Sequence, residues 1–560
     1  YTFAAAILLA SGLVSCGDSF LTEEPASSVP IKGYHTDNAK MIEAMAAAYD
    51  PMQWFDYYNG WFPLNLAWDI YPGGSDTSDQ GYLHEISWYG CSPTNDIKGA
   101  WTVAYSGINR SIRLMDNAEE ANISEADKKS YNAEGRVLRD WYYLVLWKTW
   151  GNVPFYTENL TFPYIAEQLK ADEVYNNMVT DLEEVLDSKI LPMKRELTWA
   201  GRMTQAAAAM IYADYVMYQK DESRYSKALG YVKEVIASGQ YKLVTDYDDL
   251  FTYATEWSDE IILDINYISA GGKRGWGDAG ACGGTVIPAM IGVDGLTYVG
   301  GQETGHGPYT EFEGGWGFCV ITQDAYEAFE PGDIRRDVAV LNLDTYQEEM
   351  MNRGIAVNYT GRYQNTGYFL RKYLGRPGGK ADQAGDADLN WENNFHLYRY
   401  AETLLVAAEL AWRTNSGEAQ GYFDQIRERA GLSPKAISEE AIMQERRVEL
   451  LGEGKRYFDL IRFGKAAEVL KPGGGAIYVT KDAHRFVCTD GTVTQDKPKG
   501  EVKTNADGKP LNLVINGELK WTGKGAAIPQ RPQWTENKKY LPIPQIEIES
   551  SHGATVQNPY

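Results

Sequence analysis

Carboxylates are the commonest reactive groups in this chain, and little stands ready to work with them. The 560 residues include 77 Asp and Glu but only six histidines, at 35, 84, 306, 396, 484 and 552, with none at ligand spacing from another. There is no G-x-S-x-G elbow, no H-E-x-x-H pair and no G-x-x-x-x-G-K-[ST] loop. A glycosidase would need two carboxylates at a fixed separation, one with a raised pKa. Abundance alone does not supply that geometry, so glycoside hydrolysis is the weakest of the readings considered. His306 lies in the loop GQETGHGPY, where solvation explains it better than metal binding. The densest charged motif is ERRVELLGEGKRYFDLIRFGKA, 445–466. It sets Glu445, Glu449 and Glu453 four apart, where like charges repel unless bases intervene. Arg446, Lys455, Arg456 and Arg462 are at hand, so a salt-bridge lattice locking helices to a core is favoured over a metal or catalytic site.

Aromatics carry a different chemistry. The chain has 16 Trp and 39 Tyr, side chains that pair a flat apolar face with a polar handle. Several sit among Gly, Asp and Asn, where no core is being built. Sugars present CH faces that stack on such rings, and hydroxyls that bond to Asp, Asn and Arg. The net charge of −24 repels phosphate backbones and argues against nucleic acid as a partner. Five cysteines (16, 91, 282, 319 and 488) form no C-x-x-C pair, which argues against zinc and leaves the disulfide state open. DADLNWEN (386–393) and DGTVTQD (490–496) could offer oxygens to a structural Ca²⁺, yet neither has the EF-hand pattern. Turn formation is their default, and no cofactor is expected.

The elements that must position these residues are mainly helical. Apolar periodicity predicts helices over 36–50, 99–121, 125–150, 168–188, 203–219 and 224–238. For 125–150, Ser124 is the N-cap and Gly151 the stop. A helical pair spans 397–430, with small residues Ala401, Ala407, Ala408 and Ala411 at its contact. Its length is close to the roughly 34-residue tetratricopeptide period. Helices at 438–452 and 454–470 follow. Residues 250–390 carry too many glycines for helix and read as long loops, which in a compact domain are usually functional. Asp507-Gly508 and Asn516-Gly517 mark hairpin turns within 471–535. Pro542 and Pro544 keep the C-terminal PIP segment from being helix, so it reads as an extended strap over the helices.

The N-terminus supplies one more reactive group. The apolar run from Phe3 to Val14 is too short for a bilayer, which takes about 20 residues, but it suits the h-region of a signal peptide. Leu13-Val14-Ser15-Cys16 resembles the lipobox of bacterial lipoproteins, in which Cys16 would be acylated. The alternative is a plain signal peptide with an incidental cysteine. Tyr1 is preceded by neither Met nor a basic segment, so the beginning is expected to lie upstream. The resulting division is a signal remnant (1–15), a lipid-tethered leash (16–35), an N-terminal helical region (36–250), a loop-rich ligand-facing region (251–396) and a C-terminal region (397–560) with a β-hairpin insertion at 471–535.

Ordered blocks across the chain resemble the SusD/RagB family of outer-membrane nutrient-binding lipoproteins. They are WTVAYSGIN (101–109) with AEGRVLRDWYYLVLWKTWGNVPFY (133–156), LYRYAETLLVAAELAWR with FDQIRERAGL, the 445–466 motif, and the ending KYLPIPQIEIESSHGATVQNPY. The resemblance implies a mostly α, tetratricopeptide-like scaffold with long loops and a few short strands. It implies a lipid-anchored protein facing the cell exterior, a glycan ligand (a peptide is the runner-up), a SusC-type TonB-dependent transporter as partner, and other surface glycan-binding lipoproteins nearby. It also implies a glycan site on the loops 69–96 and 269–317. On this sequence the candidates there are Asp76, Trp88, Tyr89, Asn95, Trp276, Tyr298, Tyr309 and Trp316, about half of them expected to touch ligand. Adjacent Trp88 and Tyr89 point opposite ways in an extended segment; Trp88 is expected as the exposed platform, and Trp147 as core.

Overall fold

The computed structural model describes residues 33–57, 60, 69–95, 97–278, 280–300, 309–353, 355–380, 384–470 and 533–560. Cys16, His306, the acidic loop 490–496 and nearly all of the hairpin region 471–535 lie outside these.

The architecture is mostly α. The main helices are α1 (Asn38–Trp54), α2 (Gly81–Ser87), α3 (Lys98–Glu120), α4 (Glu125–Trp150), α5 (Ala171–Ser188), α6 (Gln205–Gln219), α7 (Tyr225–Ala237), α8 (Tyr400–Arg413), α9 (Ala419–Arg429), α10 (Glu439–Glu449) and α11 (Arg456–Arg462). From α3 to α9 each helix packs on the next, a run of helical hairpins. The expected helix at 454–470 is broken: α11 stops at Arg462, and Gly464 turns the chain at φ +68° before a short turn of helix at Ala466–Val469.

Local chemistry sets these boundaries. The Ser124 side chain accepts from the Asp127 N–H (3.1 Å) at the start of α4, and Gly151 ends it. In α6 the run Ala206–Ala209 is fully buried, so small side chains let its neighbours close in on all sides. Gly107 of α3 faces the Tyr142 ring of α4, and any Cβ there would overlap the ring. Trp147 is buried in this core, its indole N–H donating to the Ala171 carbonyl (2.9 Å), and Trp150 meets Trp101 edge-on at 5.3 Å. The C-terminal strap crosses here: the Leu541 N–H reaches the Thr149 carbonyl (2.8 Å), and Trp150 donates to Pro542 (3.2 Å).

The 445–466 motif is a buried ion lattice. Glu449 accepts from Arg335 (2.9 Å), Arg399 (3.0 Å) and Arg429 (2.5 Å); Glu453 accepts from Arg399 (2.8 Å) and Lys372 (2.7 Å). Glu445 meets Arg335 and Arg427 at 2.7 and 3.0 Å. The bases that separate these glutamates thus come from 335–429, not from the motif itself as its sequence invites one to read. Arg446 and Arg462 serve Asp459, Glu402 and Glu409 instead, Lys455 serves Glu402, and Arg456 serves Asp69. Burial pushes the Glu449 carboxyl up, but the guanidiniums of Arg429, Arg399 and Arg335 overcome it and hold it well below the carboxylate range.

Strands are short and pair in twos among the described residues. The pair that matters for the loops is antiparallel, Ile70–Gly73 (β1) with Phe318–Ile321 (β2), in register Ile70↔Ile321 and Gly73↔Phe318. It brings the loop after residue 73 against the loop before residue 318.

Candidate functional site

Beside the loop before residue 318, the Trp276 indole stands 57% exposed. Its ring centroid lies 5.7 Å from that of Trp316 at 32°, and 6.2 Å from that of Tyr57, at the end of α1. The three rings form an aromatic ledge. Exposed indole is costly to maintain in water unless something covers it in use.

Each member is fixed from behind. Arg274 is buried and donates to both oxygens of Asp56 (2.8 and 2.9 Å), and to the Gln53 carbonyl. Asp56 also accepts from the Val286 N–H (2.9 Å). Asn390 holds the Arg274 carbonyl (2.9 Å), and the bridge Gly275–Asp278 closes the turn that carries Trp276. The Trp316 N–H donates to Ala289 (2.7 Å) and the Gly317 N–H to Gly292 (2.8 Å). Gly317 sits at φ +71°, and a Cβ there would press on the Arg362 stem at 2.9 Å, so glycine fits both conformation and space. Arg362 pairs with Asp294 at 3.2 Å, and both remain about a third to a quarter exposed. The ledge therefore has a guanidinium and a carboxylate at its edge, able to bond hydroxyls, beside rings able to stack.

The same edge continues through β1. The Gly74 N–H donates to the Gly317 carbonyl (3.1 Å), and the Tyr363 N–H to Gly74 (3.0 Å). The Tyr363 ring lies 5.8 Å from the His84 ring, which lies 5.4 Å from Trp88. His84 is buried, and that burial lowers its pKa.

The structure thus brings Trp276 and Trp316 into contact and places Trp88 half-buried behind His84 on the same edge. The backbone around Trp88 is not extended as anticipated: Trp88 caps α2, and Tyr89 follows in the left-handed region at φ +56°. Tyr89, 8% exposed, turns inward to line a cavity with Cys91, Lys148 and the strap. Asp76 is exposed in a turn, accepting from the Ser78 N–H (2.7 Å) and hydroxyl (2.6 Å), and lies close enough to His84 to act on its charge. Asn95 is exposed and bridges back to Ser92. Tyr298 is 7% exposed, with its hydroxyl 3.2 Å from that of Tyr346. Half-buried Tyr309 meets it edge-on at 5.8 Å and donates to Glu311 (3.0 Å). That tyrosine cluster packs with Tyr346, which meets Phe312.

Sequence reading missed Tyr57, Asp294, Arg362 and Tyr363. The available signals were two polar turns, the glycine-bounded TGRYQNTG outside the stretches considered and GVDG between the glycine-rich segments of the second. The acidic loop 386–393 serves as a turn, Asp386 accepting from the Asp388 N–H (2.9 Å). Among the described residues no group of three or more His, Cys, Asp or Glu could hold a metal ion, no disulfide joins Cys91, Cys282 and Cys319, and no helix is long and apolar enough to cross a membrane.

The model of the SusD family matches residues 259–560. Surface glycan-binding protein A from Bacteroides thetaiotaomicron, solved in complex with laminarihexaose, is 37% identical, with a TM-score of 0.76 over 94% of this chain and 100% of that one. A laminarin-binding SusD-like protein of known structure is 27% identical, with a TM-score of 0.75 over 94% of this chain and 99% of that one. The starch-binding protein SusD of Bacteroides thetaiotaomicron is 24% identical over 70% of this chain and 73% of its own length. With helical hairpins, paired loops and family model all in agreement, the chain belongs to the SusD family.

Proposed function

We propose that this protein captures an oligosaccharide at the cell surface and hands it to a SusC-type TonB-dependent transporter. The observation that carries the reading is exposed Trp276 against half-buried Trp316, with Arg362 and Asp294 beside them. Indole faces take the CH face of a sugar, and the ion pair takes its hydroxyls. A relative at 37% identity, solved with laminarihexaose, makes a β-linked glucan the first ligand to try. The protein binds and does not cleave, and Cys16 carries the lipid that tethers it to the outer membrane.

Titration calorimetry with laminarihexaose, followed by an assay for new reducing ends, tests this directly. Saturable binding with the hexamer recovered intact is the expected result. Cleavage that survives re-purification would sink the non-enzymatic reading, and indifference to every glycan with binding of peptides would replace the ligand class. Cys16→Ala should leave the membrane fraction, because anchoring rests on the acyl chains.

A further inference from the structure

A second groove lies along α3, away from the ledge. It encloses about 690 Å³, within the ~300–1,000 Å³ usual for small-molecule sites. Its floor is Tyr105 of α3 stacked on Tyr156 at 6.1 Å and 17°. The floor is built rather than loose: the Tyr105 hydroxyl donates to the Pro154 carbonyl (2.7 Å), and the Tyr156 N–H bonds the Tyr143 hydroxyl (2.9 Å). One wall is the loop 157–166, pinned to α3 by Asn159 donating to Asp116 (2.6 Å). From that loop Tyr164 projects into the groove's mouth 68% exposed, with Phe162 beside it at 86%. Arg113 lines the groove, is exposed, and makes no hydrogen bond or ion pair among the described residues. Glu547 faces the groove from the C-terminal segment.

We propose that this groove is a second carbohydrate site, taking a neutral oligosaccharide. Resting on the glycan-binding reading above, it adds a place where a glycan chain is held apart from the ledge. The chemistry selects the class. Stacked and exposed tyrosines supply faces for sugar rings, and an unengaged guanidinium with amides supplies hydroxyl partners. Of the two guanidiniums that line it, Arg110 is paired with Asp50 and Arg113 is matched by the Glu547 carboxylate, which disfavours a polyanion, as does the charge of the whole chain. The groove also has a physical link to the ledge. Arg110 lines it, pairs with Asp50 at 2.9 Å and lies 4.8 Å over the Trp54 ring. Trp54 in turn lies against Gly280, in the segment that carries Trp276. Groove and ledge thus flank a single Arg–Trp pair.

Hydroxyl-radical footprinting of the full chain with laminarihexaose as the probe separates the two sites. At saturating hexamer, oxidation of Tyr164 should fall at least twofold in the wild type and equally in Trp276→Ala, and Arg113→Ala should abolish that protection while Trp276 stays protected. Protection of Trp276 with Tyr164 unchanged would overturn the groove and leave the ledge standing. Loss of Tyr164 protection in Trp276→Ala would also overturn it, since the groove would then have no affinity of its own. Protection at neither residue would overturn groove and function together. Protection of Tyr164 by transporter-containing membranes but not by glycan would make this face a protein contact and end the proposal.

Discussion

The lattice around Glu449 and the ledge at Trp276 place polar and aromatic side chains in opposite circumstances. In the lattice, eight charged side chains are buried and each has partners; Glu449 alone is shared by three arginines. At the ledge, the Trp276 ring faces water over half-buried Trp316 and Tyr57, and the nearby charges are about a third to a quarter exposed. Buried ion pairs add little net stability, since desolvation offsets attraction, but losing one partner leaves the others stranded. Exposed rings do the reverse, contributing little to folding and much to whatever covers them. Buried charge in this molecule therefore marks scaffold, and exposed aromatic marks the proposed ligand surface, although the acidic composition invites the opposite reading.

The largest effect should come from breaking the lattice. Glu449→Ala removes the carboxylate that Arg335, Arg399 and Arg429 share, leaving excess positive charge in a dry interior, and should destabilise by about 3–5 kcal/mol. Denaturant melts would show it. The protein that remains folded should bind laminarihexaose normally, and a mutant that melts like the wild type would mean the lattice is ornamental.

Acid should reach the same lattice without mutation. Burial raises the Glu453 carboxyl, but Arg399 and Lys372 bring it down to about 2. A carboxyl depressed on folding stabilises fully above its unfolded value of about 4.3 and loses that contribution as pH falls through the folded value. The shift corresponds to on the order of 3 kcal/mol. Thermal melts should hardly move on this account between pH 7 and 5, then fall steeply from about 4.5 toward 2. Stability that stays flat down to pH 3 would contradict the pairing.

The ledge should fail in the other direction. Trp276→Ala removes an exposed ring and no core contact, so binding should weaken about tenfold or more, a decade being 1.4 kcal/mol. The melting curve should stay where it was. Early unfolding with intact affinity would exchange the roles of the two regions.

How far the sequence reaches follows the same division. Helices were legible because their boundaries rest on local signals: Ser124 and Gly151 bracket α4 in both sequence and structure. The lattice was legible as a lattice but not in its partners, since Arg335, Arg399 and Arg429 join Glu449 only through tertiary folding. The loops are less legible still. Trp276 and Trp316 stand out for their glycine-rich surroundings, but Tyr57 and Arg362 reach the ledge from 219 positions before and 46 after those two rings, through the β1–β2 pairing and the Arg274–Asp56 bond. Tyr89 and Tyr298 share the composition of an exposed loop and are nonetheless buried, because the strap and Tyr346 close over them. Composition reports what a ring could do; only packing decides whether it faces water.

Trp88 offers the smallest and sharpest test, because it lies between the two regimes. Read as sequence, it is the natural platform, a large indole in a polar loop. In the fold it is half-buried and packs on His84, which packs on Tyr363, the neighbour of Arg362. Its effect on ligand should therefore pass through the position of Arg362 rather than through direct stacking. Trp88→Ala should weaken laminarihexaose binding by about threefold, under 1 kcal/mol on the scale where a decade is 1.4. It should also lower stability by about 1 kcal/mol, the ordinary cost of a partly buried truncation. Trp88→Phe keeps a ring against His84 and should restore both. A loss of tenfold or more with unchanged melting, not rescued by phenylalanine, would place the indole itself on the sugar and extend the ledge along β1 to α2.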